Sequence, residues 1–198
     1  MKLLIATRNR GKAREFRELL GSDFEVSDLS GYPEIPEIAE TGETFLENAQ
    51  LKAVAISQRV AGLILGDDSG LEVDALGGAP GIFSARYSGE HATDQRNIEK
   101  LQDDLANFCK EQRGARFRCV LVLAQAGQVI NHAEGVVEGE IVESPRGSDG
   151  FGYDPIFQPL GYSETFAELA AATKNAISHR AQAVKALRAI MRIRDQQL

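Results

Sequence analysis

The sequence predicts an α/β protein: a mixed, twisted sheet flanked by helices. Two observations carry that assignment. Short apolar runs of strand character alternate with segments of helical period along the whole chain. Two of the runs, 117–125 and 129–142, meet at Gly127 as a hairpin, which adds antiparallel pairing to an otherwise interleaved pattern.

Taken in order, residues 2–6 (KLLIA) read as the first strand, and Lys12–Leu20 as a helix with Phe16, Leu19 and Leu20 on its apolar side. Gly21, Gly31, Pro33 and Pro36 make 21–40 a stretch of turns and irregular or extended chain. Thr44-Phe-Leu-Glu47 has the form of a capping box. It opens a helix to about Val60, with Phe45, Ala49, Val54 and Ile56 as the expected buried stripe. The apolar run 61–65 then reads as a short buried strand, ending in a turn at Gly66-Asp-Asp-Ser-Gly70. After 71–76 comes the glycine-rich loop Gly77-Gly-Ala-Pro-Gly81. Thr93 caps a helix to about Lys110, with Ile98, Leu101, Leu105 and Phe108 inward. The hairpin follows, then the aromatic stretch 151–159, broken by Gly152, Pro155 and Pro159. One last helix runs from about Asn175 to Arg194, with Ile177, Val184, Leu187 and Met191 at helical spacing.

A length of 198 residues fits one domain, or one domain with two lobes around a cleft. No apolar run is long enough to span a bilayer, and the first residues read as a strand, not a secretory signal. The net charge of −7 argues against nucleic acid or an anionic membrane as partner, yet allows an anionic small molecule at a locally basic site. The two cysteines, Cys109 and Cys119, lack metal-ligand spacing and are expected to pack as small hydrophobes in a reducing cytoplasm.

Four segments can carry chemistry. Asp67 and Asp68, with Ser69, lie behind an apolar run, where ligands of α/β sheets gather. Paired carboxylates there can hold a divalent metal or take a proton from water, although such a run can equally be a polar turn. Thr7-Arg-Asn-Arg-Gly-Lys12 joins a strand to a helix, so its backbone N–H groups and the helix dipole suit a phosphate; capping of that helix is the competing account. Glu40 lies outside the capping segment and can join the acidic pair in an oxygen-only metal site. Phe151-Gly-Tyr-Asp154 offers rings on which a base can stack, against the commoner fate of core packing. Lys174, His179 and Arg180 can donate to phosphate or to a base carbonyl, or merely solvate a helix.

Together these segments resemble the inosine triphosphate pyrophosphatase family over nearly the whole chain. The marks are Thr7-Arg-Asn-Arg-Gly-Lys12, Glu40-Thr-Gly-Glu-Thr-Phe-Leu-Glu-Asn-Ala49, Gly66-Asp-Asp-Ser-Gly-Leu71 and Pro80-Gly-Ile-Phe-Ser-Ala-Arg-Tyr87. Ser148-Asp-Gly-Phe-Gly-Tyr-Asp-Pro-Ile-Phe157 and Ser178-His-Arg180 complete them. The resemblance implies two lobes flanking a nucleotide-binding cleft, a cytoplasmic homodimer, and one or more Mg²⁺ per subunit. The implied reaction cleaves ITP, dITP or XTP to the monophosphate and pyrophosphate. By motif position Asp68 would be the catalytic carboxylate, and Glu40 and Asp68 would hold the metal. Thr7, Asn9 and Lys12 would hold the triphosphate. Arg8 and Arg10, at the pattern's variable positions, fall with Gly11 in the same substrate loop. Ser69, Phe151, Gly152, Tyr153, Asp154, Lys174, His179 and Arg180 would line the rest of the substrate site.

The chemistry agrees. Metal and Lys12 can neutralise a triphosphate that would repel an attacking hydroxide, and Asp68 can take the proton of the water. Arg180 or His179 would pair with the 6-carbonyl of inosine or xanthosine and oppose the 6-amino group of adenosine. Two other readings stand beside this one: a pyrophosphatase for modified pyrimidine triphosphates, and a non-catalytic nucleotide-binding module on the same fold.

Overall fold

The computed structural model describes residues 1–195, with side chains to Met191. Six strands form one mixed sheet in the order β2-β1-β3-β4-β5-β6. They are β1 (Lys2–Ile5), β2 (Glu25–Asp28), β3 (Leu63–Val73), β4 (Gly114–Gln125), β5 (Gln128–Ile141) and β6 (Phe157–Pro159). The helices are α1 (Arg10–Leu20), α2 (Phe45–Ser57), α3 (Asp94–Asp104), α4 (Ala171–Ile177) and α5 (His179–Asp195). β1 pairs parallel with β2 and β3, with Leu4 opposite Ser27 and Ile64, whereas β6 pairs antiparallel with β5. Ala126 and Gly127 both take positive φ, as a tight hairpin between β4 and β5 requires.

The chain divides into two compact units. The first comprises residues 1–68, 119–135 and 179–198; the second comprises 69–118 and 136–178. In the first unit, Leu3, Ile5, Leu65, Cys119 and Leu121 of the strands pack with Phe16 and Leu20 of α1 and Val184 and Leu187 of α5. A separate cluster there joins Leu4, Ala6 and Ile64 to Ile56 of α2 and to Leu29 and Ile35. Alternation along β1 and β3 sends odd and even residues to these two clusters, so the opposite sheet faces pack against different helices. The core of the second unit is aromatic, with the rings of Phe117 and Phe157 4.7 Å apart and Phe157 and Phe166 5.1 Å apart.

Several elements differ from expectation. The segment 21–40 contributes β2, an edge strand whose Glu-Val-Ser-Asp sequence has no continuous apolar signal. The Gly66–Gly70 segment is not a turn: β3 runs straight through it. Gly66 is required by packing, since a Cβ there would lie 2.2 Å from the Ala49 carbonyl oxygen and 2.9 Å from Ala53 Cβ. Gly66→Ala would force α2 off β3, and we expect a loss of about 1–3 kcal/mol in urea unfolding. An unchanged midpoint and slope would contradict that close approach.

The capping box of α2 forms as expected: Thr44 Oγ1 accepts from Glu47 N at 3.2 Å, and Glu47 Oε2 accepts from Thr44 N at 3.1 Å. Its buried stripe, however, is Phe45, Asn48, Ala49, Lys52, Ala53, Ile56 and Ser57, and Val54 is only partly buried. α3 stops at Asp104, short of Lys110, and Arg113 donates to the carbonyls of Leu105 and Phe108 just beyond its end. The expected last helix is two helices, because Ser178 takes an extended conformation (φ −62°, ψ 156°) between α4 and α5. Cys119 is buried as expected, whereas Cys109 is exposed, beside Gln112.

Candidate active site

Asp67 and Asp68 are adjacent in sequence but do not form a side-by-side pair. Successive side chains of a strand point to opposite faces, and each acid is gripped by its own lysine. Asp67 Oδ2 accepts from Lys12 Nζ at 2.5 Å, its Oδ1 accepts from Cys119 Sγ at 3.2 Å, and Oδ1 lies 3.9 Å from Arg180 Nε. Asp68 Oδ1 accepts from Lys52 Nζ at 2.9 Å, and the same ammonium donates to Glu40 Oε1 at 2.7 Å. The other oxygen of Asp68, Oδ2, is buried and has no hydrogen-bond partner among the described residues.

These environments push the two acids in opposite directions. Burial alone would raise the Asp67 carboxyl, but the charges of Lys12, Arg180 and Lys52 outweigh it and hold Asp67 well below the usual carboxylate range. For Asp68 burial prevails, so its carboxyl is raised despite Lys52 and Lys12, with Glu40 adding like charge. Lys52 explains the asymmetry. Burial opposes its charge, yet Asp68, Asp67 and Glu40 together lift its pKa above the ordinary lysine value. Lys52 is shared between Asp68 and Glu40, whereas Asp67 has Lys12 and Arg180 beside it, and Asp68 is left the less neutralised of the two. Burial and the neighbouring Asp67 charge push the Cys119 thiol well up, which makes it a packed neutral donor.

The loop before α1 behaves first as a cap. Thr7 Oγ1 accepts from Asn9 N at 3.1 Å, and Asn9, the N-cap, accepts from Lys12 N at 3.0 Å. The first turn of α1 contains Arg10, Gly11 and Lys12 and no acid, so nothing there neutralises the positive end of the helix dipole. Arg8, expected in the substrate loop, is instead directed at the carbonyls of Leu29 (3.0 Å), Tyr32 (3.2 Å) and Ile35. A planar guanidinium ties three carbonyls of an irregular segment together, two of which, Leu29 and Tyr32, also accept backbone N–H groups.

His179 and Arg180 open α5, and both are buried. Gly135 of β5 makes this possible: a Cβ there would lie 2.1 Å from the His179 carbonyl oxygen and 2.3 Å from Ala183 N. Arg180 donates to Glu15, stands beside Asp67, and lies with its guanidinium 5.6 Å from the centre of the Phe16 ring. Its donors serve an internal ion-pair network with Glu15 and Asp67. Asp67 and Glu15, with burial opposing, hold its pKa above the ordinary arginine value.

In the second unit, Asp154 and Lys174 form a buried pair, with Oδ2 to Nζ at 2.6 Å. The same Oδ2 accepts from Phe151 N at 2.9 Å, and Lys174 Nζ lies 5.5 Å from the centre of the partly buried Phe151 ring. Gly152 N donates to Asp94 at 2.7 Å. Tyr153 packs in the core with its hydroxyl donating to the Ser84 carbonyl at 2.8 Å. Ser69 lies within β3, partly buried.

Sequence reading missed Lys52, Asn48 and Glu15. The signal for the first two was available: positions 45, 48/49, 52/53 and 56 form one helical face, and a lysine and an asparagine fall on it. A charged residue on a buried stripe is rare unless paired. Among the described residues no three His, Cys, Asp or Glu side chains group as a metal cluster, and no helix is long and apolar enough to cross a membrane.

The fold and site thus define an α/β protein whose sheet carries a divided acid–lysine centre on β3. The chain belongs to the Ham1 family, whose model matches residues 3–190. It is 49% identical over 187 residues to the dITP/XTP pyrophosphatase of Shouchella clausii, with 94% of each chain covered. It is 50% identical over 185 residues to the dITP/XTP pyrophosphatase of Bacillus subtilis, with 93% of each covered. The structure of the Staphylococcus aureus Ham1 protein aligns with a TM-score of 0.85 at 40% identity, over 97% of this chain and 98% of that one.

Proposed function

We propose that this protein is a nucleoside-triphosphate pyrophosphatase acting on the non-standard purine nucleotides ITP, dITP and XTP, releasing the monophosphate and pyrophosphate. One observation carries the mechanism: the raised, buried carboxyl of Asp68, with one oxygen on Lys52 and the other open. A carboxylate made more basic by burial is a better proton acceptor near neutral pH than an ordinary one. Asp68 Oδ2 takes the proton of a water whose oxygen attacks the α-phosphorus. The bond from that phosphorus to the α–β bridging oxygen breaks, and pyrophosphate departs with the electron pair.

Lys12 and the uncompensated N-terminus of α1 favour the triphosphate, with Thr7, Asn9, Arg10 and Gly11 around it. Asp67, held firmly ionised, keeps Lys12 in place from below. In the second unit Ser69, Phe151, Gly152, Asp154 and Lys174 are the proposed nucleotide contacts. His179 and Arg180 are proposed to line the substrate site, with Arg180 also standing beside Asp67. Glu40 and Asp68, brought together at the one Lys52 ammonium, suit Mg²⁺ by their carboxylate chemistry; a bound ion would add Lewis-acid stabilisation of phosphoryl oxygens. A cytoplasmic homodimer belongs to the same reading.

The test is product analysis of pure protein with ITP and Mg²⁺, with ATP and GTP in parallel. The expected result is IMP plus pyrophosphate, with little turnover of ATP or GTP. IDP plus phosphate would place attack at the γ-phosphorus and overturn the mechanism. Absence of turnover would favour the non-catalytic reading.

A further inference from the structure

Asn48 is fully buried on α2, one turn before Lys52. Its Oδ1 accepts the N–H of Gly42 at 2.8 Å, while its Nδ2 has no hydrogen-bond partner among the described residues. An unpartnered buried N–H group is costly, and an apolar side chain would fill this seam without that cost. What the position gains from asparagine is the acceptor, and that acceptor holds Gly42.

Gly42 belongs to a strap laid tightly on the start of α2. A Cβ on it would lie 2.6 Å from Glu47 Cβ and 2.8 Å from Asn48 Oδ1. The next two amides, Glu43 and Thr44, donate to Glu47 Oε2 at 2.7 and 3.1 Å. Glu40 sits two residues before Gly42, and its carboxylate reaches the Lys52 ammonium that also holds Asp68. We propose that Asn48 is a positioning residue of the reaction: by fixing Gly42 it holds Glu40 against Lys52, and so sets where the Glu40 carboxylate stands relative to Asp68. The capping bonds through Glu47 fix the helix start, and the Gly42 bond lies between that start and Glu40. This inference rests on the pyrophosphatase reading, which assigns Glu40 and Asp68 their chemistry.

The experiment has two readouts on the full chain. The first is amide hydrogen exchange at Gly42 by NMR, without nucleotide or metal. In Asn48→Ala the Gly42 amide should exchange about tenfold faster or more, as expected when a protecting bond is lost. In Asn48→Asp a carboxylate oxygen still accepts the same N–H, and protection should persist. Glu40→Gln should leave it unchanged, since the Gly42–Asn48 bond does not involve the Glu40 carboxylate.

The second readout is the Mg²⁺ concentration giving half-maximal ITP turnover. It should rise several-fold in Asn48→Ala and stay near wild type in Asn48→Asp. The double variant Glu40→Gln/Asn48→Ala should be no weaker than Glu40→Gln alone, because both act through one group. Unchanged Gly42 exchange in folded Asn48→Ala, or multiplicative losses in the double variant, would overturn the proposal. If Asn48→Ala does not fold, Asn48→Asp decides: loss of Gly42 protection or of the wild-type Mg²⁺ response overturns it. Wild-type protein that turns over no ITP would refute the pyrophosphatase reading, while Gly42 exchange would still report on the strap.

Discussion

Asp68→Asn is expected to remove most ITP turnover while costing the protein less stability than Asp67→Asn does. The rate effect follows from the loss of the proton acceptor, for which a fall in kcat of about 10²–10⁴-fold is typical. Nucleotide binding should change little, since Lys12 and the N-terminus of α1 are untouched. The stability effect follows from the sign of the pKa shift. Burial raises the Asp68 carboxyl in the folded state, so folding favours its protonated form. That favourable contribution is present at low pH and is lost as pH rises through the folded value, leaving the ionised group a net cost at neutrality. Asn removes the charge and keeps an oxygen for Lys52.

Asp67→Asn should behave in the opposite way. Despite burial, the cations around Asp67 lower its folded pKa, so its ionised form contributes stability above the unfolded value and loses it as pH falls. Removing that charge should lower the melting temperature at neutral pH. Melting both variants without divalent metal, and assaying both at saturating Mg²⁺, checks the pair. Near-wild-type kcat in Asp68→Asn would remove the residue from its role. Equal destabilisation by both substitutions would refute the distinction between the two faces of β3.

Much of this arrangement was legible in the sequence, and the failures have physical reasons. The hairpin, the capping box and the strand–helix alternation depend on local chemistry, and all three formed. Thr7 to Lys12 was correctly placed at a strand–helix junction, but the task of Arg8 depends on carbonyls at residues 29, 32 and 35, which no local rule connects to it. The glycines around Asp67 and Asp68 suggested a turn because glycine permits one. Gly66 is instead required by the approach of α2, a tertiary contact that leaves no local mark. That error hid the more important fact: adjacent acids at a turn can converge, whereas adjacent acids within a strand must diverge. Lys52 was obscured by placing Val54 on the buried stripe. Correct registration of the helix face would have exposed a lysine where an aliphatic residue belongs.

Lys52→Met is expected to cost at least about 10²-fold in kcat/KM, comparable with removing a donor that stabilises transition-state charge. The argument begins with charge balance. Lys52 is largely buried and donates to Glu40 at 2.7 Å and Asp68 at 2.9 Å. Met matches the length of the stem and retains its packing, but leaves two carboxylates facing each other without their cation. One of them must then take up a proton or turn away, and either change removes the ionised, oriented Asp68 that the mechanism requires. Lys52→Arg should not rescue fully, because a planar fork cannot reproduce a compact ammonium between two fixed oxygens. If Lys52 acts through Asp68, the double variant Asp68→Asn/Lys52→Met should be little worse than Asp68→Asn alone. A purely structural lysine would give a different pattern: lower stability, but normal turnover in the fraction that folds. Active-site titration of the folded fraction, beside its kcat/KM, separates the two, and turnover within a few-fold of wild type would leave Lys52 as a strut with no part in the chemistry.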